Sequence, residues 1–269
     1  MQALSDTTFQ RIAELMHSSI GISLTASKKP LVSSRLAPRI QRLGLGGFEA
    51  YLELIAGPTD GGEFQMAVDL LTTNETYFFR EPAHFGLLER EVTTTKPRTI
   101  AVWSAASSFG DEAFSIAMLL ADLQTQGRIG ADWSILGTDI SDRVLRSACQ
   151  ATYPTERLRE VAPERLRRYC LRGEGDAEGL VQIQPKLRER VRFGQLNLCL
   201  PIEPLGPFDV VFLRNVLIYF DADTKRTVVD RVLDRLRPGG LFFIGTAEGR
   251  VPCATRLEPL APGAFRKAT

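Results

Sequence analysis

Thr99-Ile100-Ala101-Val102-Trp103-Ser104-Ala105-Ala106-Ser107-Ser108-Phe109-Gly110-Asp111-Glu112 reads as a short apolar strand over 99–106, a turn of small residues, and the start of a helix over 112–126. Small side chains in such a turn let a ligand approach the backbone, and the helix N-terminus behind it presents unpaired amides. The turn is not GxGxxG, because only Gly110 stands where that pattern wants a glycine. The same grammar continues downstream. A second strand is expected over 133–140, with a helix over 141–150, and two further strands over 191–197 and 208–215. A helix over 223–236, closed by Pro238-Gly239-Gly240, leads to a last strand over 241–246. Strand and helix in alternation predict an α/β domain with a mostly parallel sheet covered on both faces.

Two regions stand outside that alternation. Residues 166–193 carry Gly173, Gly175 and Gly179 between short segments containing Tyr169, Val181 and Ile183, which predicts a small inserted antiparallel subdomain. Residues 6–75 read as helical. Phe9, Ile12, Ala13, Leu15, Met16 and Ile20 repeat at three and four behind an N-cap at Ser5 or Asp6, and Leu36, Ile40 and Leu43 mark a second helix ending near Gly44. No acidic residue lies between Glu14 and Glu49, whereas Lys28, Lys29, Arg35, Arg39 and Arg42 all do. The spacing puts Arg35, Arg39 and Arg42 on one face of a basic helix over 28–43. That face is either solvated or a docking surface for an acidic partner.

The chain has 269 residues, 44% apolar and 24% charged, enough for one sizeable domain and a smaller one. Thirty-three Lys and Arg against 32 Asp and Glu leave a net charge of +1, so no global field recruits nucleic acid or an anionic membrane. The longest apolar runs, 210–213 and 241–245, are strand-sized, and no membrane insertion is expected. The start Met1-Gln2-Ala3-Leu4-Ser5-Asp6 lacks a basic and then apolar leader, so a cytoplasmic location is expected. Cys149, Cys170, Cys199 and Cys253 are widely spaced with no CxxC pair, which argues against zinc and a disulfide framework. No metal is expected.

Asp139, at the end of the second strand, is placed either to accept hydrogen bonds from ribose hydroxyls or to cap the next helix. Asp111 and Glu112 would repel a pyrophosphate at the helix end, although acidic first turns also simply complement the helix dipole. S-adenosylmethionine has no phosphate and carries an amino group and a sulfonium, so the acidic turn favours a methyl donor over a dinucleotide.

Taken with Leu71-Thr72-Thr73-Asn74-Glu75-Thr76-Tyr77-Phe78-Phe79-Arg80-Glu81, Val102-Trp103-Ser104-Ala105-Ala106, Gly137-Thr138-Asp139-Ile140 and Phe208-Asp209-Val210-Val211-Phe212-Leu213-Arg214-Asn215-Val216-Leu217-Ile218-Tyr219-Phe220, the chain resembles the CheR-type chemotaxis receptor glutamate methyltransferases over nearly its whole length. The resemblance implies an all-α N-terminal domain (1–75) and a linker carrying part of the donor site (76–97). It implies a Rossmann-like S-adenosylmethionine-dependent domain (98–269) with a β-subdomain (166–193) for receptor docking. By position, Asn74, Thr76 and Arg80 match the donor-contacting segment. Glu112 matches the acidic residue near the methionyl part, Asp139 the ribose carboxylate, Asn197 and Leu198 the adenine-side pair, and Arg214 and Asn215 the residues after the fourth strand. Tyr219 stands where the family has a tyrosine beside the reacting methyl. Phe109, Asp111 and Ala113 depart from the usual threonine, glutamate and proline.

The implied reaction moves a methyl group from S-adenosylmethionine to receptor glutamates, releasing S-adenosylhomocysteine. A glutamate has a reference pKa of about 4.3, so the nucleophile is already ionised at neutral pH and needs no general base. Neither His17 nor His84 is required. Arg80 is expected to hold the incoming carboxylate through its planar fork, and Tyr219 either to position donor or substrate or to serve as a core aromatic. The implied partners are the cytoplasmic region of methyl-accepting receptors, met by Arg35, Arg39 and Arg42, and a receptor C-terminal peptide met by the turn at Gly173 and Gly175. Such docking would recruit the chain to receptor arrays. The alternative is a non-catalytic sensor that binds the donor or its demethylated product. A nucleic-acid methyltransferase fits poorly with the near-zero charge and the lack of an aromatic-studded basic groove.

Overall fold

The computed structural model describes residues 3–58, 62–130, 132–203, 205–249 and 251–269. Met1 and Gln2, used above in reading the N-terminus, lie outside the described residues. The chain opens with α1 (Asp6–Ile20), α2 (Lys29–Arg42), α3 (Phe48–Ala56) and α4 (Glu63–Leu71). The Ser5 hydroxyl caps α1 by accepting from the Thr8 amide, and Gly21 closes it at φ 73°. The stripe on α1 does what its spacing predicts: Phe9, Ile12, Met16 and Ile20 are buried against Leu36, Ile40, Tyr51 and Leu52. Ile140 and Tyr219 of the following domain pack on the same cluster, so the helical domain is seated on the end of the sheet.

After α5 (Pro82–Thr95) come β1 (Thr99–Ser104), α6 (Asp111–Thr125), β2 (Asp132–Asp139) and α7 (Asp142–Gln150). An insert follows, made of β3 (Thr152–Pro154), α8 (Pro163–Tyr169), β4 (Cys170–Arg172), β5 (Leu180–Ile183) and α9 (Pro185–Arg188). The chain then completes the large sheet with β6 (Val191–Gln195), β7 (Phe208–Leu213), α10 (Ala222–Leu233), β8 (Leu236–Ile244), β9 (Leu257–Ala261) and β10 (Ala264–Lys267). The large sheet has the order β6-β2-β1-β7-β8-β10-β9, and β10 runs antiparallel to both neighbours. Its parallel strands proceed outward from β1 to β2 and β6 and then return to β7, so the order reverses between β1 and β7. A crevice at the carboxyl ends of the strands opens at such a reversal. One face buries Ile100, Val102 and Phe212 under α5 and α6, and the other buries Trp103, Val211 and Phe242 under α10.

Three expectations are corrected. The small sheet has the order β3-β5-β4, so the insert begins near Thr152, and Val191–Gln195 belongs to the large sheet. The early strand was hidden because it is three residues long and contains Pro154. Pro238-Gly239-Gly240 does not close a helix. It lies inside β8, where the register with β7 slips, and a Cβ on Gly240 would come within 2.9 Å of the Asp209 carbonyl oxygen. The third correction concerns the arginine row. Arg39 makes a two-pronged pair with Glu63 at 2.8 and 2.6 Å, and Arg35 donates to the Leu71 and Thr72 carbonyls and the Thr73 hydroxyl. Both tie α2 to α4 and its exit, and only Arg42 of the three is fully exposed.

Candidate active site

A cleft of about 1050 Å³, counting the part open to solvent, lies at the strand-order reversal and is roofed by the end of the helical domain. From the sheet it takes the β1–α6 turn, Asp139 and the segment after β7, and from the linker Asn74, Thr76 and Arg80. Ile20, Ile22, Leu71 and Leu198 give it an apolar wall. The residues singled out by position, Asn74, Thr76, Arg80, Glu112, Asp139, Asn197, Leu198, Arg214, Asn215 and Tyr219, all line this one cleft. Arg42, Gly173 and Gly175 do not.

The β1–α6 turn depends on Gly110. Its φ is 87°, and a Cβ there would approach Phe193 to 2.9 Å and the Tyr153 hydroxyl to 3.1 Å. Asp139 fastens this turn. One carboxylate oxygen accepts from the Ser108 amide at 2.9 Å and the other from the Ser141 amide at 3.0 Å. Ser141 itself supplies the cap of α7, accepting from the Val144 amide, so Asp139 is not that cap. A carboxylate has about four acceptor sites, so beside these amides and that of Ile140 capacity remains for a ligand hydroxyl. Burial pushes the Asp139 carboxyl above its ordinary range, opposed by these amide bonds.

Glu112 and Arg214 form the charged floor. Glu112 accepts from the Ser104 hydroxyl at 2.7 Å and from Arg214 at 2.9 Å, and Arg214 also donates to the Arg80 carbonyl at 2.6 Å. Arg214 is buried beside the stacked rings of Phe85 and Phe212, with its guanidinium carbon 6.0 Å from each, which limits its direction. The linker that carries Arg80 is strained: Phe79 and Glu81 have φ of 56° and 58°, at a cost of about 1–3 kcal/mol each. Among its anchors are the Phe79 amide donating to Ser115 Oγ, and Arg214. The Arg80 guanidinium donates to the Glu75 carbonyl at 3.0 Å and otherwise faces the cleft. The Tyr219 hydroxyl donates to the Thr73 carbonyl at 3.3 Å; burial pushes its pKa up while Arg35 and Arg80 pull it down. Asn197 spends its carboxamide on structure, donating to the Ser19 carbonyl and accepting from the Cys199 amide.

One residue behind the cleft gave no functional signal in the sequence. Glu248 is buried, and its carboxylate accepts from the amides of Gly245 (2.6 Å), Asn215 (2.9 Å) and Leu217 (2.7 Å). It thereby fixes Asn215 at φ 59° and, with it, the whole segment from Arg214 to Tyr219. The Gly-x-x-Glu spacing of a helix-capping pattern is the trace that could have pointed to it. His17 pairs with Asp221 across the domain boundary, and the buried ring of His84 contacts the Pro262 carbonyl through Nε2, both away from the cleft lining.

The residues suit S-adenosylmethionine. Asp139 retains acceptor sites for a ribose, the apolar wall suits a purine, and Glu112 with Arg214 offers both signs of charge to an amino-acid moiety. A pyrophosphate would instead meet Glu112 at the head of α6. Asp111, expected to share that role, is buried against Arg157 and does not line the cleft. Among the described residues no group of three or more His, Cys, Asp or Glu is gathered to hold a metal ion. Nor, among them, is any helix long and apolar enough to cross a membrane.

Comparison with known proteins agrees with this geometry. Residues 74–259 match the family described as CheR methyltransferase, SAM binding domain, and residues 7–72 match CheR methyltransferase, all-alpha domain. The chain is 42% identical over 247 residues to a chemotaxis protein methyltransferase of Escherichia coli (strain K12), covering 91% of this chain and 85% of that protein. It is 40% identical over 248 residues to chemotaxis protein methyltransferase 2 of Pseudomonas aeruginosa, covering 90% and 86%. The chain therefore belongs to the CheR methyltransferase family and is an S-adenosylmethionine-dependent methyltransferase.

Proposed function

We propose that the chain methylates glutamate side chains in the cytoplasmic region of chemotaxis receptors, forming methyl esters in sensory adaptation. The observation that carries this reading is that Arg80 and Tyr219 line the same cleft as the residues that suit the donor. When bound, the donor supplies a methyl carbon activated by a positively charged sulfur. The chain's own residues then have to orient the acceptor. Arg80 keeps one N–H on the Glu75 carbonyl, which restrains its stem, and presents the rest of its fork to a carboxylate. Tyr219, held at Thr73, bounds the position of the acceptor oxygen. Asp139, Glu112 and Arg214 locate the donor from below, so catalysis is largely alignment along the line of attack. No described residue has to take a proton, because the acceptor enters ionised.

Receptor recognition is divided between two surfaces. Exposed Lys28 and Arg42, with Arg35 midway between them at heptad steps, form the steering row in place of the Arg35, Arg39 and Arg42 row. Such a row favours a glutamate-bearing helix and is weakened by salt. At the insert, β4 is an edge strand with Leu171 exposed, beside a turn where a Cβ on Gly173 would meet the Ala177 carbonyl oxygen at 2.0 Å and Gly175 has φ 58°. That edge accepts a receptor C-terminal peptide by strand addition, which recruits the enzyme to receptor arrays and raises its local concentration. Peptide titration and receptor methylation on two variants test the division. Deleting 173–175 is expected to abolish peptide binding, while Lys28→Glu with Arg42→Glu slows methylation and spares the peptide. Peptide binding that survives the deletion, or is lost on charge reversal, would refute it.

A further inference from the structure

The insert meets the donor cleft through several side chains, with Arg165 over the Phe79 ring at 4.5 Å and Arg159 over the Tyr77 ring at 5.8 Å, and Arg157 reaches both the turn and the linker by hydrogen bonds. Arg157 lies in the 3₁₀ turn Thr155–Leu158 that follows β3, outside the cleft lining. Its guanidinium makes two bonds to Asp111, at 3.0 and 2.7 Å, and a third to the Thr76 carbonyl at 3.3 Å. Its own carbonyl accepts the Phe78 amide at 3.4 Å. The same guanidinium lies over the Phe109 ring at 4.6 Å and near the Tyr153 ring at 5.7 Å. Tyr153, on β3, donates to the Phe109 carbonyl at 2.7 Å and meets the Phe78 ring edge-on at 5.0 Å. One arginine from the insert therefore holds two pieces of the cleft: the first residue of α6, next to Glu112, and the linker between Asn74 and Arg80. Asp111 is fully buried, so its charge depends on this partner.

We propose that Arg157 is a positioning residue that sets the Thr76–Arg80 linker and the head of α6 for donor binding, and so couples the insert to the methyl-transfer site. The proposal rests on the reading of the cleft as the donor site. The coupling follows from the chemistry of the contacts. The linker contains strained Phe79 and is followed by strained Glu81, and it is pinned from the cleft side by Arg214 and from the far side by Arg157. A planar fork with five donors can serve Asp111 and Thr76 together, whereas a lysine can serve only one of them well. A segment of receptor seated on the insert would act through the same residue on the affinity for the donor.

The test uses the full chain and S-adenosylhomocysteine as the probe, with calorimetry for affinity, thermal unfolding for stability, and hydrogen exchange at the Phe78 and Phe79 amides. Arg157→Leu is expected to remain folded, to bind the probe about tenfold more weakly, a loss typical of one charged contact, and to exchange faster at both amides. Arg157→Lys should fall between it and the wild type, and Arg167→Leu, on the exposed face of α8, should match the wild type. A purely structural arginine would lower the unfolding temperature and leave the affinity of the folded protein unchanged, which would overturn the proposal. If Arg157→Leu does not fold, wild-type affinity and exchange in Arg157→Lys would overturn it equally. Failure of the wild type to bind the probe would refute the donor-site reading itself.

Discussion

Replacing Glu248 by Gln tests whether a carboxylate with no place in the cleft holds the cleft together. The substitution keeps the shape of the side chain and changes one oxygen to NH₂. If the remaining oxygen keeps the Asn215 and Gly245 amides, the Leu217 amide faces a second donor and loses its acceptor. One unsatisfied buried donor costs about 1–3 kcal/mol, and two bonds weakened from charged to neutral cost about 1 kcal/mol each. Against this, the neutral side chain escapes the burial that pushes the Glu248 carboxyl above its ordinary pKa. The net expectation is a loss of about 2 kcal/mol of stability, or roughly 4–8 °C in melting temperature for a chain of this size. The freed segment carries Arg214, Asn215 and Tyr219, so S-adenosylhomocysteine should bind at least about tenfold more weakly in calorimetry, a difference of about 1.4 kcal/mol. Unchanged stability would show that the carboxylate does not hold the segment. Lost stability with unchanged affinity would show that the segment lies outside the donor site.

Asp139→Asn should weaken binding of the same probe about tenfold or more, because a charged acceptor for hydroxyls is worth about 1.5–3 kcal/mol; equal calorimetric affinity would remove Asp139 from the site. Arg80→Lys should depress turnover on receptor more than it weakens probe binding, since a point charge cannot reproduce the fork, and wild-type turnover would sink that role. The Asp111 carboxyl, pushed up from 3.8 to about 6 by burial in spite of Arg157, should show that midpoint in a carboxyl NMR titration. Removing the cation should move it higher still. Because the folded value lies above the unfolded one, the folded state holds the extra proton, so stability linked to Asp111 is full below the unfolded value and falls as pH rises to about 6. A midpoint near 3.8 would contradict the burial argument.

The periodicity of α1 and the alternation after residue 98 were legible because long elements bury one face or two and repeat accordingly. The residues read as donor contacts were legible as motif positions, and their convergence on one cleft depends on a strand order that no local pattern records. What the sequence hid was of another kind. Arg39 looks like a surface cation until Glu63, 24 positions away, is folded against it. Pro238-Gly239-Gly240 looks like a helix stop, because a bulge inside a strand uses the same residues as a turn. Glu248 and Arg157 act through backbone groups of distant segments, and a backbone amide or carbonyl leaves no mark in the side-chain sequence.

The most direct test of the account is to incubate the purified chain with methyl-labelled S-adenosylmethionine and receptor cytoplasmic fragments, then digest the receptor and locate the label by mass spectrometry. Base-labile methyl esters on glutamate side chains, formed by the wild type and strongly reduced by Arg80→Lys, are expected. Donor binding with no label transferred to receptor, or label found on lysine or another base-stable position, would contradict it.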